Sequence, residues 1–173
     1  PSEPILRNFE KIRQMDALLS WSREELVRDA VGRPVTRALP RRRDGDAPVL
    51  FPVAEDREVV RLIDPRPTPW PDVHFIIGNP PFIGNKRMRA RLGDGYTEAV
   101  RQAYSDTPET VDFVMYWWNK AAALVATQQC RQFGLITTNS LRQSFNRVVL
   151  EKFLDKGLSL TFAIPDHPWV DSS

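Results

Sequence analysis

The stretch His74-Phe75-Ile76-Ile77-Gly78-Asn79-Pro80-Pro81-Phe82 decides how this chain is read. Its short apolar run, bounded by turn signals, predicts a buried-type strand over Val73 to Gly78. Pro80 and Pro81 lack an N–H and fix φ, so neither a ladder nor a helix continues past Asn79. The Asn79 side chain and the Pro80 carbonyl are therefore expected as rigid acceptors at the carboxyl end of a strand, with the Phe82 ring directly after them. In open α/β sheets, ligands bind at that edge. Two fixed acceptors beside a ring are well suited to gripping an exocyclic amino group while stacking on the flat heterocycle that carries it.

Working outward, Tyr96 to Tyr104 reads as a short helix. Asp106-Thr107-Pro108-Glu109 predicts a helix start, with a capping residue, a first-turn proline and an acid at the positive dipole end. Apolar residues follow at Val111, Val114, Met115, Trp118, Ala122 and Val125, in steps of three and four. Phe133 to Thr138 is the next expected strand. Asn146 to Leu154 is a helix ended by Lys156-Gly157, and Leu158 to Ile164 a third strand. The alternation implies an α/β chain with a parallel sheet core, flanking helices and right-handed crossovers.

Upstream, residues 5–21 read as a short helix or turn into the apolar stretch at Met15 to Leu19. Eight of the fifteen prolines fall between residues 34 and 71, which excludes long regular elements there. An irregular, surface-hugging insert is expected, with a short strand at Val49 to Val53. The chain thus divides into residues 1–72, an N-terminal segment with a proline-rich insert, and residues 73–173, the regular α/β portion.

A length of 173 residues and 42% hydrophobic content support one folded domain. No apolar run approaches the roughly 20 residues of a membrane span, and no signal peptide is visible at Pro1 to Pro4. The single cysteine, Cys130, excludes an internal disulfide and suits a reducing cytosol, so a cytoplasmic location is expected. No paired His-carboxylate spacing points to a metal. Net charge is only +2, but two basic clusters stand out. Arg37, Arg41, Arg42 and Arg43 read as a solvated surface. Lys86, Arg87, Arg89 and Arg91 follow the proline loop, where phosphate contacts are expected.

Asn79-Pro80-Pro81-Phe82 resembles the catalytic motif of the amino-methyltransferases, above all the N6-adenine DNA methyltransferases. The longer stretch, Trp70-Pro71, then Phe75 to Gly84, then Lys86-Arg87-Met88, is similar to the large MmeI-like enzymes that combine restriction and modification, and to related phage-defence methylases. The likeness runs on through Asp112, Gly134 to Ser140 and Asp166 to Val170, roughly the last two thirds of the chain. It implies a partial Rossmann-like class I methyltransferase fold, S-adenosyl-L-methionine as cofactor and double-stranded DNA as partner. It assigns Asn79, Pro80, Pro81 and Phe82 to catalysis, and Lys86, Arg87, Arg89, Arg91, Asn139 and Ser140 to DNA.

Asp16 and Asp112 are the cofactor-binding candidates that the resemblance supplies. Gln14-Met15-Asp16-Ala17-Leu18 looks like the element whose acid contacts the cofactor's adenine, though it lies farther from Asn79 than the family pattern. Asp16 as a turn or helix cap stays open beside that role. So does Asp112 as a first-turn acid, and so do Asn139 and Ser140 as turn formers. The family's glycine-rich cofactor loop matches none of the eight glycines here; Gly93-Asp94-Gly95 reads as a surface turn. That loop is expected before residue 1 and a target-recognition domain after the end. The rest of the same polypeptide is then a partner, and this portion is expected to be inactive alone. An RNA or protein-glutamine amino-methyltransferase, or a non-catalytic nucleic-acid-binding or assembly remnant, are the alternatives.

Overall fold

The computed structural model describes residues 13–38 and 56–165. Its first part is a two-stranded antiparallel ribbon. β1 (Leu19–Ser20) pairs with β6 (Arg66–Pro67), β2 (Arg23–Leu26) with β5 (Val60–Ile63), and β3 (Thr36–Ala38) with β4 (Asp56–Glu58). Between β2 and β3 a side loop is closed by Asp29, whose Oδ1 accepts the Val31 and Arg33 N–H groups at 2.9 Å each. The ribbon corrects the irregular insert expected over residues 34–71. Proline is tolerated because a lone strand pair has open edges, where a missing N–H breaks no ladder. Pro67 sits at the ribbon's end opposite Leu19, and Pro34 in an isolated bridge to Arg28. The strand expected at Val49 to Val53 lies outside the described residues, as do Arg41 to Arg43.

The ribbon packs on a helical layer. α1 (Met88–Leu92) and α2 (Asp94–Ala103) meet at Gly93, whose φ of 89° suits glycine. Gly95 lies in the first turn of α2 because the helix presses on β5 there. A Cβ at Gly95 would sit 1.8 Å from the Val60 carbonyl oxygen.

α3 (Val114–Ala126) forms the centre. Most of the expected stripe is core: Val111 just ahead of the helix and Val114, Met115, Trp118 and Ala122 on it are buried, and Val125 is partly buried. Its start comes later than Asp106 to Glu109 predict. Residues 106–113 form turns instead, because their main chain bonds elsewhere: Thr107 N–H to Tyr104 O, Asp112 N–H to the Asn146 side chain, and Phe113 N–H to Ile83 O. α4 (Ser144–Leu154) matches its expected helix and ends at Gly157, φ 88°.

β7 (Phe75–Gly78) and β8 (Gln132–Leu135) pair in parallel, with Phe75 opposite Gln132 and Gly78 opposite Leu135. Their inner face packs on α3, where the Trp118 and Phe133 rings meet edge to face at 5.2 Å. Cys130 is buried just before β8, its Sγ donating to the His74 and Gln132 carbonyls. The third strand expected at Leu158 to Ile164 is not formed. That segment touches β8 through one side-chain bond, Gln132 Nε2 to Thr161 Oγ1 at 2.9 Å. Leu160, Phe162 and Ile164, on its even positions, stay exposed, so no burial rewards a ladder. The described residues are thus a mixed α/β unit with one parallel pair rather than a three-stranded core. Among them, no helix is long and apolar enough to cross a membrane.

Replacing glycine by alanine inside a helix normally stabilises by about 0.5–1 kcal/mol. At Gly95 the collision with Val60 reverses the sign, since overpacking costs about 1–3 kcal/mol. Gly95→Ala is therefore expected to lower the thermal midpoint; a raised midpoint would show that α2 does not lie so close to β5.

Candidate active site

Asn79 to Phe82 leave the carboxyl end of β7 as an extended loop. Pro80 is buried and anchors the loop, whereas Asn79 is exposed and Phe82 is 43% exposed. Neither the Asn79 carboxamide nor the Pro80 carbonyl is engaged by another described residue. Asn79 is thus an exposed, unengaged acceptor beside an accessible ring, and the Pro80 carbonyl is an unengaged acceptor on the buried residue next to it. The sheet continues on the β8 side, where Ile136 N–H donates to Gly78 O at 2.9 Å. After β8 the chain turns through a short 3-10 segment, Asn139–Arg142. Ser140 is half-buried there, its Oγ 2.6 Å from Thr138 Oγ1.

The downstream end of the Asn-Pro-Pro-Phe loop is tied to this second turn by a partly buried network centred on the buried Asn146. Asp112 Oδ1 accepts the Asn85 N–H at 2.9 Å, and Phe113 N–H donates to Ile83 O at 2.9 Å. Asp112 Oδ2 accepts from Asn146 Nδ2 at 2.8 Å, while Asn146 Oδ1 accepts the Asp112 N–H at 2.9 Å. The same Nδ2 donates to Ser140 O at 2.9 Å and reaches Ser140 Oγ at 3.3 Å. Asp112 and Ser140 are thus brought into one assembly with the loop after Asn79, and both Asp112 oxygens are held by the protein.

Asp16 belongs to another part of the fold. Its Oδ1 accepts the Leu18 and Leu19 N–H groups and its Oδ2 the Tyr96 hydroxyl, all at 2.8 Å. The carbonyls behind it are equally well held: Thr68 Oγ1 donates to Asp16 O, Trp70 Nε1 to Ala17 O and Tyr104 OH to Leu18 O. Lys120, buried in α3, donates to Ala17 O at 2.8 Å and to Thr68 O, with its ammonium 4.4 Å from the Trp70 ring centre. Burial pushes that ammonium down to about 8 from its ordinary 10.5, against the opposing pull of Asp16. Burial, reinforced by Asp16, pushes the Tyr96 and Tyr104 phenols well above the usual range, so both remain protonated donors. Trp70 also lines a cleft of about 260 Å³ with Val73, Gly78, Trp117 and Leu135, which connects this segment to the root of the Asn-Pro-Pro-Phe loop.

The basic cluster divides. Lys86, Arg87 and Arg91 are exposed and make no ion pair among the described residues. Arg89 is committed to Asp94 and Glu98, and Asp94 also pairs with Arg37. Asn146 and Lys120 are site residues that sequence reasoning misses, although each leaves a signal. Asn146 heads the stripe Asn146, Val149, Leu150, Phe153, where an apolar residue belongs, and Lys120 is the lone charge in an otherwise apolar helix.

A family model described as MmeI, DNA-methyltransferase domain, matches residues 10–173. No curated protein and no solved structure matches the chain.

The Lys120 environment carries a pH signature. Unfolded, the amine titrates near 10.5; folded, near 8. Between those values the unfolded chain binds more protons, so this group's contribution to stability rises with pH and levels off outside the window. The span corresponds to at most about 3 kcal/mol. The stability difference between wild type and Lys120→Met, measured by denaturant unfolding from pH 7 to 10.5, should therefore shift in favour of the wild type. A flat difference would show that the ammonium is not desolvated.

Proposed function

The chain belongs to the MmeI DNA-methyltransferase domain family, and we propose that it acts in transferring a methyl group from S-adenosyl-L-methionine to the N6 amino group of adenine in double-stranded DNA. The observation that carries this reading is the pair of unengaged acceptors at Asn79 and Pro80, on a loop pinned at its buried proline beside the exposed Phe82 ring.

An adenine amino nitrogen is a poor nucleophile because its lone pair is delocalised into the ring. Donating its two N–H groups to the Asn79 Oδ1 and the Pro80 carbonyl localises that pair on nitrogen and offsets the positive charge that grows there. The residues act by positioning and by preorganised electrostatics, with no covalent enzyme intermediate. Phe82 stacks on the extruded base; such stacking is worth roughly 1–3 kcal/mol against the few kcal/mol of unstacking. Lys86, Arg87 and Arg91 bear on phosphates, with Arg89 acting chiefly to fix α1 to α2. Asn139 and Ser140 line the base pocket from the β8 side.

The fit to the cofactor rests on the cleft between Trp70 and Gly78. It is apolar and aromatic, lined by Trp70, Phe75 and Trp117. Asp16 uses three of the roughly four acceptor sites of a carboxylate, which leaves one for a ligand hydroxyl or amino group. When bound, S-adenosyl-L-methionine supplies an electrophilic methyl group. Asp112 accepts two bonds, one on each oxygen, so it supports the loop and keeps acceptor capacity toward the cofactor. The pair β7–β8 is the centre of a wider Rossmann-like sheet: Phe75 and Ile77 are 60% and 88% exposed on its outer face, and parallel sheets are covered on both faces.

In the intact enzyme, Asn79→Ala should slow single-turnover methyl transfer by a factor on the order of 100–1,000 while cofactor affinity changes little. Phe82→Ala should weaken binding of the extruded base as well as turnover. Near-normal methylation by Asn79→Ala would return Asn79-Pro80-Pro81 to a rigid turn.

A further inference from the structure

We infer that Asn146 is a positioning residue that sets the distance between the two loops receiving the target base; this rests on the adenine-methylating reading of Asn79 to Phe82. Asparagine is a poor helix-interior residue, since its side chain competes for backbone groups. Asn146 nevertheless lies in the first turn of α4 with 0% exposure. A buried carboxamide is tolerated only when its donors and acceptor are satisfied. Here all are used, and every one is spent on a loop rather than on α4.

The partners define the role. The carboxamide pairs reciprocally with Asp112: Nδ2 donates to the carboxylate at 2.8 Å and Oδ1 accepts the main-chain N–H at 2.9 Å. The other carboxylate oxygen holds the Asn85 N–H, three residues after Phe82. The same Nδ2 also holds Ser140 O and reaches Ser140 Oγ, in the turn that follows β8. Asn146 thus contacts neither Asn79 nor Phe82 but bridges the two loops around them through two short chains of bonds. Asn85 is fixed a second time by Arg101 Nη2, at 3.2 Å from its Oδ1, and its loop also by the Phe113 N–H to Ile83 O bond, so the bridge relies on Asn146 at the Asp112 carboxylate and at Ser140. Removing the carboxamide leaves the Asp112 carboxylate short of one donor and the Ser140 turn untethered. Each loop keeps its own backbone bonds, while their separation is no longer set.

The test is single-turnover methylation of unmethylated plasmid DNA carrying the recognition site, with the intact enzyme, saturating DNA and saturating S-adenosyl-L-methionine. Rate constant, active fraction (from the reaction amplitude) and DNA affinity are read separately. Asn146→Ala should lower the rate constant on the order of 100-fold, the scale set by roughly 1 Å of misplacement, with DNA affinity within a few-fold of wild type. Asn146→Asp, which sets two carboxylates against each other, should be equally slow. The exchange pair Asp112→Asn with Asn146→Asp restores a donor opposite an acceptor on the Asp112 side but sets a carboxylate, which cannot donate, against Ser140 O, so its rate constant should stay at least about 10-fold below wild type, and a wild-type rate constant would overturn the bridge to Ser140. A merely structural Asn146 would lower the active fraction and the thermal midpoint but leave the rate constant of the active fraction unchanged, and that result overturns the inference. Should Asn146→Ala not fold, the exchange pair decides alone: a rate constant of the active fraction still at least about 10-fold below wild type supports the bridge, and a wild-type rate constant overturns it. Asn79→Ala run in parallel separates the two claims, because a normal rate there removes the reading of the loop itself.

Discussion

The reciprocal pair between the Asp112 carboxylate and the Asn146 carboxamide is the interaction on which the rest of the site depends. A carboxylate drawn toward the interior is costly unless donors meet its oxygens, and charge-assisted bonds to it are stronger than neutral ones. Asp112 finds its donors on two different elements, the Asn85 main chain and the α4 side chain. Because these commit residues 112 and 113 to tertiary bonds, α3 begins only at Val114, and the loop after Asn79 acquires a fixed exit. Pro80 provides the entry anchor by burial, and Ile83 O provides a further tie through Phe113 N–H. The loop is held at Pro80 and again at Ile83 and Asn85, with Asn79 exposed just before the first anchor and Phe82 exposed between them.

A second clamp organises the other end of the molecule. Three successive carbonyls, of Asp16, Ala17 and Leu18, are bonded by Thr68 and Trp70 just after the ribbon, by Tyr104 at the end of α2 and by Lys120 of α3. One of those side chains is a buried ammonium that faces the Trp70 ring as well as two carbonyls, a combination that compensates a desolvated cation without a salt bridge. Trp70 belongs to this clamp and to the cleft beneath Gly78, so the Asp16 segment and the Asn79 to Phe82 loop share one wall.

The site was legible in the sequence where backbone chemistry dictates geometry. Two prolines after an apolar run leave little choice for Asn79, and the parallel pairing of β7 with β8 followed from their spacing around α3. Helix positions were legible from periodicity, as α4 and the core stripe of α3 show. What stayed hidden depends on long-range partners. The antiparallel ribbon joins residues 19–38 to 56–67 across a proline-rich stretch whose local chemistry argues against strands, and tertiary pairing overrode that propensity. The segment from Leu158 to Ile164 has the alternation of a strand but no partner that would bury it among the described residues. Asp106 carries a capping signature that is not used, because turn bonds and the Asn146 link claim the main chain first. Arg89 shows the same limit for charge: its neighbours in sequence suggest a phosphate contact, whereas Asp94 and Glu98 meet it in space.

The most direct measurement of the central claim is the identity of the methylated base. Duplex DNA treated with the intact enzyme and S-adenosyl-L-methionine is digested to nucleosides and analysed by mass spectrometry. Two acceptors beside an aromatic ring serve an amino group, and the one thiol, Cys130, is buried and bonded to the His74 and Gln132 carbonyls, away from any role as an attacking nucleophile. N6-methyladenine is the predicted product. Methylation at a cytosine carbon or cytosine amino group, or no methylated base at all, would contradict it.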